Sequence, residues 1–182
     1  MQSKTKISSG EDRAPPDNVS AQSYSSTKRF RGLVEPNCAK CPFAQNGQPP
    51  HTPVLGDVPK DPIAFLIGEA PSREEVSAGR IFVGPTGNFL NGELQQVRLT
   101  RSELALVNAT ACQPPFDSTE GQMRKAVVCC QPLFWSQIRQ ATVTQETHVL
   151  AMGRWAHFAL TKKDRGAMSN RGFIREWTWP WL

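Results

Sequence analysis

No stretch of this chain is apolar for long enough to span a bilayer, and its opening lacks the apolar core of a secretory signal. A membrane protein and an exported one are set aside on that ground, and the expected location is cytoplasmic. No internal repeat is visible, which excludes a solenoid or propeller array. There is one C-x-x-C pair, Cys38 and Cys41, and no second one, so the pattern of a zinc ribbon is missing. With five cysteines in a reducing compartment, metal binding or thiol chemistry is expected ahead of a disulfide framework.

What is present fits one domain with a real core, preceded by a tail. The 182 residues are 38% hydrophobic, with a mean hydropathy of −0.43. Much of the polarity sits in residues 1 to 30, rich in Ser, Lys, Asp, Gln and Pro and read as a disordered tail before a domain over 31–182. A net charge of +5 suits a nucleic-acid partner but decides little until it is known to cluster on one face.

Apolar runs place three strands, near residues 62–68, at Leu104 to Asn108 and at His148 to Met152. The segment from Glu74 to Gly87 reads as a loop leading into a helix from about Asn88 to Val97, with Leu90, Leu94 and Val97 on one face. A second helix is expected over 119–140, accommodating Pro132, and a third from Trp155 to Thr161 after Gly153. Near-continuous apolar strands alternating with helices mean an α/β protein with a parallel sheet covered on both faces. At the end, Trp177, Trp179 and Trp181 crowd the last six residues. Either Phe173 to Trp179 forms a fourth strand, or the chain stops before its fold is complete.

The richest segment follows the first strand. Gly68-Glu69-Ala70-Pro71, Glu75, Gly79 and Phe82-Val83-Gly84-Pro85-Thr86-Gly87 bring two carboxylates and a glycine-rich turn to a strand end, where α/β proteins build ligand sites. Cys38 and Cys41 can both reach one metal or cluster, and Cys112 and Cys130 are distant candidates to join them. Cys129 and Cys130 are adjacent and rarely ligate one ion together, so one is spare. The plainer alternative is a redox pair with buried apolar cysteines. Together these features indicate a metal-containing enzyme acting on a nucleic-acid base.

In this order and at these separations the chain resembles the iron–sulfur (family 4) uracil-DNA glycosylases, from about Cys38 to Gly172. The motifs are Cys38/Cys41, Gly68 to Pro71 with Glu75, and Gly79 to Leu90. Asn108 four residues before Cys112-Gln113-Pro114-Pro115, Cys130-Gln131-Pro132 and Met152-Gly153-Arg154-Trp155-Ala156 complete them. The resemblance implies a three-layer α/β/α fold about a parallel sheet of four strands. It also implies a monomer that binds uracil-containing DNA, and a [4Fe–4S] cluster on Cys38, Cys41, Cys112 and Cys130 that leaves Cys129 spare.

It further implies that Glu69 and Glu75 serve as catalytic carboxylates, orienting water or stabilising a cationic sugar. Phe82 is implied to stack on the flipped base, with Gly68 and Ala70 at the substrate and Asn108 reading the uracil edge through an amide that both donates and accepts. The plain alternatives are a core Phe, a turn Asn and a solvated Glu75. The chain departs from the family at Ser72, Val76, Ile81 and Gln113, and it has no His-Pro-Ser segment. That last departure keeps open an alternative in which the chain binds DNA or a nucleobase without cleaving it. His51, His148 and His157 stand in a loop, at a strand entrance and in a helix, and none matches the missing His.

Overall fold

The apolar runs do form strands. The computed structural model describes Phe30, residues 32–163 and residues 178–181. Strand β1 spans Ala64–Gly68, β2 Leu104–Asn108 and β3 His148–Ala151. They pair in the order β2-β1-β3, parallel throughout, with Gly68 beside Asn108 and Ile67 beside both Val107 and Ala151. The chain thus leaves β1 to one side and later returns to its other side. That reversal opens a crevice at the carboxyl ends of the strands, the usual ligand position in such sheets.

Four helices accompany the sheet among the described residues: α1 Arg73–Ala78, α2 Pro85–Gln96, α3 Glu120–Ile138 and α4 Arg154–Thr161. Side chains alternate along the strands. Phe65, Ile67, Ala105 and Val107 join Val127 and Phe134 of α3 and Ala156 and Phe158 of α4 in one core. On the opposite face Leu66, Leu104 and Leu106 pack with Ile81, Phe82 and Leu94. Helices therefore cover both faces, as the three-layer expectation required.

Three details of the sequence reading are corrected. The segment read as a loop contains α1, and α2 begins at Pro85 rather than near Asn88, because Gly84 caps it and proline suits a first helical position. Val97 does not share the buried face of Leu94; it is 63% exposed and lies just past the helix end. Pro132 is tolerated inside α3. It removes the hydrogen bond to the carbonyl of Val128, and both residues face solvent.

The outer edge of β2 is closed by an incoming segment. Asp57 and Leu106 exchange backbone hydrogen bonds of 3.0 and 2.8 Å in an antiparallel bridge. At the far end Trp179 is buried against Phe65, rings 5.3 Å apart, and its indole N–H donates to the Thr144 carbonyl. Trp181 packs edge-on against Trp135, with Arg139 4.6 Å above its ring. Two of the terminal tryptophans are thus core and stacking residues. Trp177, most of the Phe173–Trp179 strand and the polar tail up to Arg29 lie outside the described residues; Thr178 and Trp179 are not in a strand.

Candidate active site

All three strands end at the crevice, β1 in Gly68, β2 in Asn108 and β3 just before Met152. A cavity of about 330 Å³ opens there, lined by Gly68, Glu69, Ala70, Glu75, Phe82 and Asn108. These are the six non-cysteine residues singled out from the sequence, and they converge on one space. Its size sits at the small end of ligand-binding clefts. Ser72, Gly84 with Pro85 and Thr86 at the start of α2, Met152 and Gly153 complete the wall.

Glu69 is the first residue past β1, and its Oε1 accepts a hydrogen bond of 3.0 Å from the backbone N–H of Trp155. Helix α4 starts after Gly153, which has no side chain to cap it. Glu69 therefore supplies the cap from across the crevice, a charge-assisted contact with the positive end of the helix. A Cβ at Gly153 would strike that carboxylate, and the residue's φ of +109° also favours glycine.

Glu75 is buried at 6% exposure, not solvated. Its Oε2 accepts from the Ser72 backbone N–H at 2.8 Å, while the Ser72 hydroxyl accepts from the Glu75 N–H. This reciprocal pair is a capping box that starts α1 and fixes the turn after Pro71. The same helix start and the Ser72 hydroxyl hold the exposed Glu74 below the usual carboxylate range.

Asn108 ends β2 and is 6% exposed, so it is not a turn residue. Among the described residues its side-chain amide has no hydrogen-bond partner, which leaves donor and acceptor to the cavity. Phe82 is buried at 5% exposure with φ of +52°, a left-handed conformation that costs a bulky residue energy. Asn108 Oδ1 and the Phe82 ring tip both press on Gly68: a Cβ there would collide with the first and stand 2.8 Å from Phe82 Cζ. Only glycine lets the two side chains close on the strand end. None of the three histidines lines this space. His51 accepts from the Gln113 N–H, His148 is exposed, and His157 lies beside Thr161.

The cysteines gather elsewhere. Cys38, Cys41, Cys112, Cys129 and Cys130 line one cavity of sulfur and hydrocarbon, formed by the 3-10 turn Cys38–Lys40, the exit of β2 and the middle of α3. The spacing argument that called one of the adjacent pair spare is not decided by lining alone, because both reach the cavity. Burial pushes the Cys130 thiol up to about 12, helped by Cys41 and Cys38 and opposed by a hydrogen bond to the Ala111 backbone. Burial also raises Cys129, which is hydrogen-bonded to Cys41. Among the described residues no group of three or more His, Cys, Asp or Glu side chains is arranged to hold a single metal ion.

The family model of the uracil DNA glycosylase superfamily matches residues 55–179. The chain belongs to that superfamily. Within it, the chain is similar to the type-4 uracil-DNA glycosylase of Pyrobaculum aerophilum, 30% identical over 120 residues, which is 64% of this chain and 56% of that protein. It is likewise similar to the type-4 enzymes of Archaeoglobus fulgidus, 30% over 122 residues covering 66% and 56%, and Thermotoga maritima, 32% over 82 residues covering 45% and 41%. The chain spans about half the length of these relatives. The matched region of the superfamily contains all six residues lining the crevice that the motifs indicated. It excludes Cys38 and Cys41, which lie ahead of it.

Sequence reasoning missed Met152 and Gly153 as cavity residues, although a strand end in a doubly wound order was the signal for them. Among the described residues no helix is long and apolar enough to cross a membrane.

Proposed function

We propose that this chain excises uracil from DNA by hydrolysing the N-glycosidic bond of a flipped nucleotide. The observation that carries the reading is the convergence of Glu69, Phe82 and Asn108 on one cavity of about 330 Å³ at the sheet's carboxyl end. A base turned out of the stack enters this crevice and lies against Phe82, while the uncommitted Asn108 amide meets its edge. The Asn108 oxygen accepts from uracil N3–H and its NH₂ donates to a carbonyl, a pairing that cytosine cannot reproduce. Glu69 already gives one oxygen to Trp155. Its second oxygen orients the attacking water and faces the positive charge that develops on the sugar. Glu75 keeps the Ser72 turn in place beneath that reaction.

The cysteine cavity offers only thiol donors in an apolar setting, which suits an iron–sulfur cluster. A cubane spreads its thiolates over several iron atoms, so it does not require the close grouping that one zinc ion would. Cys38, Cys41, Cys112 and Cys130 would hold a [4Fe–4S] cluster, leaving Cys129 spare. Bound there it supplies a structural cross-link between the N-terminal turn, the β2 exit and α3. The thiol-rich chain acts as a monomer in the reducing cytoplasm.

A second reading is favoured by the histidines, all of which stand outside the cavity lining. In it the chain captures uracil in DNA without cutting, for want of a group to stabilise the departing anion. A uracil-release assay on single- and double-stranded uracil-containing DNA decides between them. Release in single-turnover conditions supports excision; retained binding with no release at high protein concentration supports capture; neither binding nor release sinks both.

A further inference from the structure

We infer that Arg101 is a positioning residue for the base slot, clamping the backbone that sets Phe82 in place. Its two guanidinium nitrogens donate to successive carbonyls, Nη1 to Phe82 at 2.7 Å and Nη2 to Ile81 at 2.8 Å. Nη1 also stands 3.5 Å from the Asn91 side-chain oxygen. Asp57 Oδ2 lies 3.9 Å from Nη2 and equally far from Arg80 Nη2, partly balancing the charge. The fork matters because Phe82 is a bulky residue at a φ of +52°, a geometry that persists only when its surroundings enforce it. Gly87 completes the enforcement, since a Cβ there would run into the Phe82 carbonyl.

Arg101 sits in the short 3-10 turn Arg101–Glu103 that leads into β2. That turn is itself fixed by a capping box, in which Glu103 accepts from the Thr100 N–H at 2.7 Å. The clamp thus joins the strand that carries Asn108 to the turn that carries Phe82. The separation between the edge-reading amide and the stacking ring follows from it. Lysine is no substitute, because a single ammonium lacks the planar fork that reaches two carbonyls at fixed spacing.

The inference rests on the stacking role proposed for Phe82, and its test separates the two. Arg101→Gln and Arg101→Lys are made in the full chain, each with Phe82 and with Phe82→Ala, and affinity for uracil-containing single-stranded DNA is measured. With Phe82 present the Arg101 variants bind about tenfold more weakly; with Phe82→Ala they lose less than about twofold, because the ring they misplace is gone. Equal losses in both backgrounds overturn the positioning role, since a purely structural residue would act alike in each. The crystal structure of Arg101→Lys, which keeps the charge beside Asp57 and folds where Arg101→Gln fails, gives φ at Phe82 directly. Departure from the left-handed region supports the clamp; retention of it overturns the clamp. Should the unaltered chain bind no uracil DNA, the excision proposal falls, and φ at Phe82 alone decides Arg101.

Discussion

The carboxylate of Glu69 accepts a hydrogen bond from the backbone N–H of Trp155, 86 residues away in sequence. One side chain thereby joins the exit of the first strand to the start of the helix after the third. The contact restrains the carboxylate that the proposed reaction uses. Glu69→Gln keeps an oxygen for the Trp155 N–H and removes the charge. Its thermal stability should fall by less than about 1 kcal/mol. Uracil release should fall by about a hundredfold or more. Release at the original rate would take Glu69 out of the chemistry and leave it a helix cap.

Asn108 faces the cavity with an amide that no described residue engages. Asn108→Asp exchanges the donor NH₂ for a second acceptor oxygen at nearly the same volume. Discrimination between uracil and cytosine in single-stranded DNA should relax, with uracil binding lowered by roughly 1–3 kcal/mol. Competition binding with paired oligonucleotides measures the ratio. A ratio equal to that of the unaltered chain would mean that another group reads the base.

Gly68 lies against both side chains proposed to recognise the base, Asn108 and Phe82. Gly68→Ala places a methyl group against Asn108 Oδ1 and Phe82 Cζ, so that both buried side chains must shift. Overpacking of this kind costs about 1–3 kcal/mol of stability. Denaturant melts should show that loss, and the binding of uracil DNA should drop by more than the melts account for. A variant as stable and as tight-binding as the parent would mean that the wall is looser than its distances imply.

For the cysteine cavity, anaerobically purified protein should carry iron and absorb in the visible range as iron–sulfur proteins do. Cys112→Ser and Cys130→Ser should each lower iron content, whereas Cys129→Ser should keep it. Iron loss in Cys129→Ser with retention in Cys130→Ser would exchange the roles of the adjacent pair. Stoichiometric zinc in place of iron would remove the cluster from the account.

Much of this arrangement was legible before any coordinates, for physical reasons that differ by element. Strands β1 and β2 announce themselves because a parallel strand buried on both faces needs an unbroken apolar run, as in Phe65-Leu66-Ile67 and Leu104 to Val107. Gly68, Glu69 and Glu75 were marked by a strand end followed by glycine and carboxylates, whereas Phe82 and Asn108 were named from the family resemblance; that they line one cavity is a separate observation. Helix α1 was missed: at six residues it is too short to show periodicity, and its Ser72-x-x-Glu75 box was hidden among charged neighbours. The same charged neighbours left a solvated acid as the plain alternative to a functional Glu75, and its burial removes that alternative. The Glu69 cap and the Arg101 fork leave no local trace, since their partners are backbone groups supplied by distant segments. Such bonds are blind to the identity of the residue that provides the carbonyl or N–H. The cysteines proposed as cofactor ligands were named from motif resemblance, and the shared lining of their cavity is a separate observation.

The bridge between Asp57 and Leu106 has a directional consequence. By occupying the open hydrogen-bonding groups on the flank of β2, the incoming segment denies that side to any further strand, from this chain or another. Among the described residues this leaves growth of the sheet one-sided, along His148–Ala151, where Leu150 is 56% exposed.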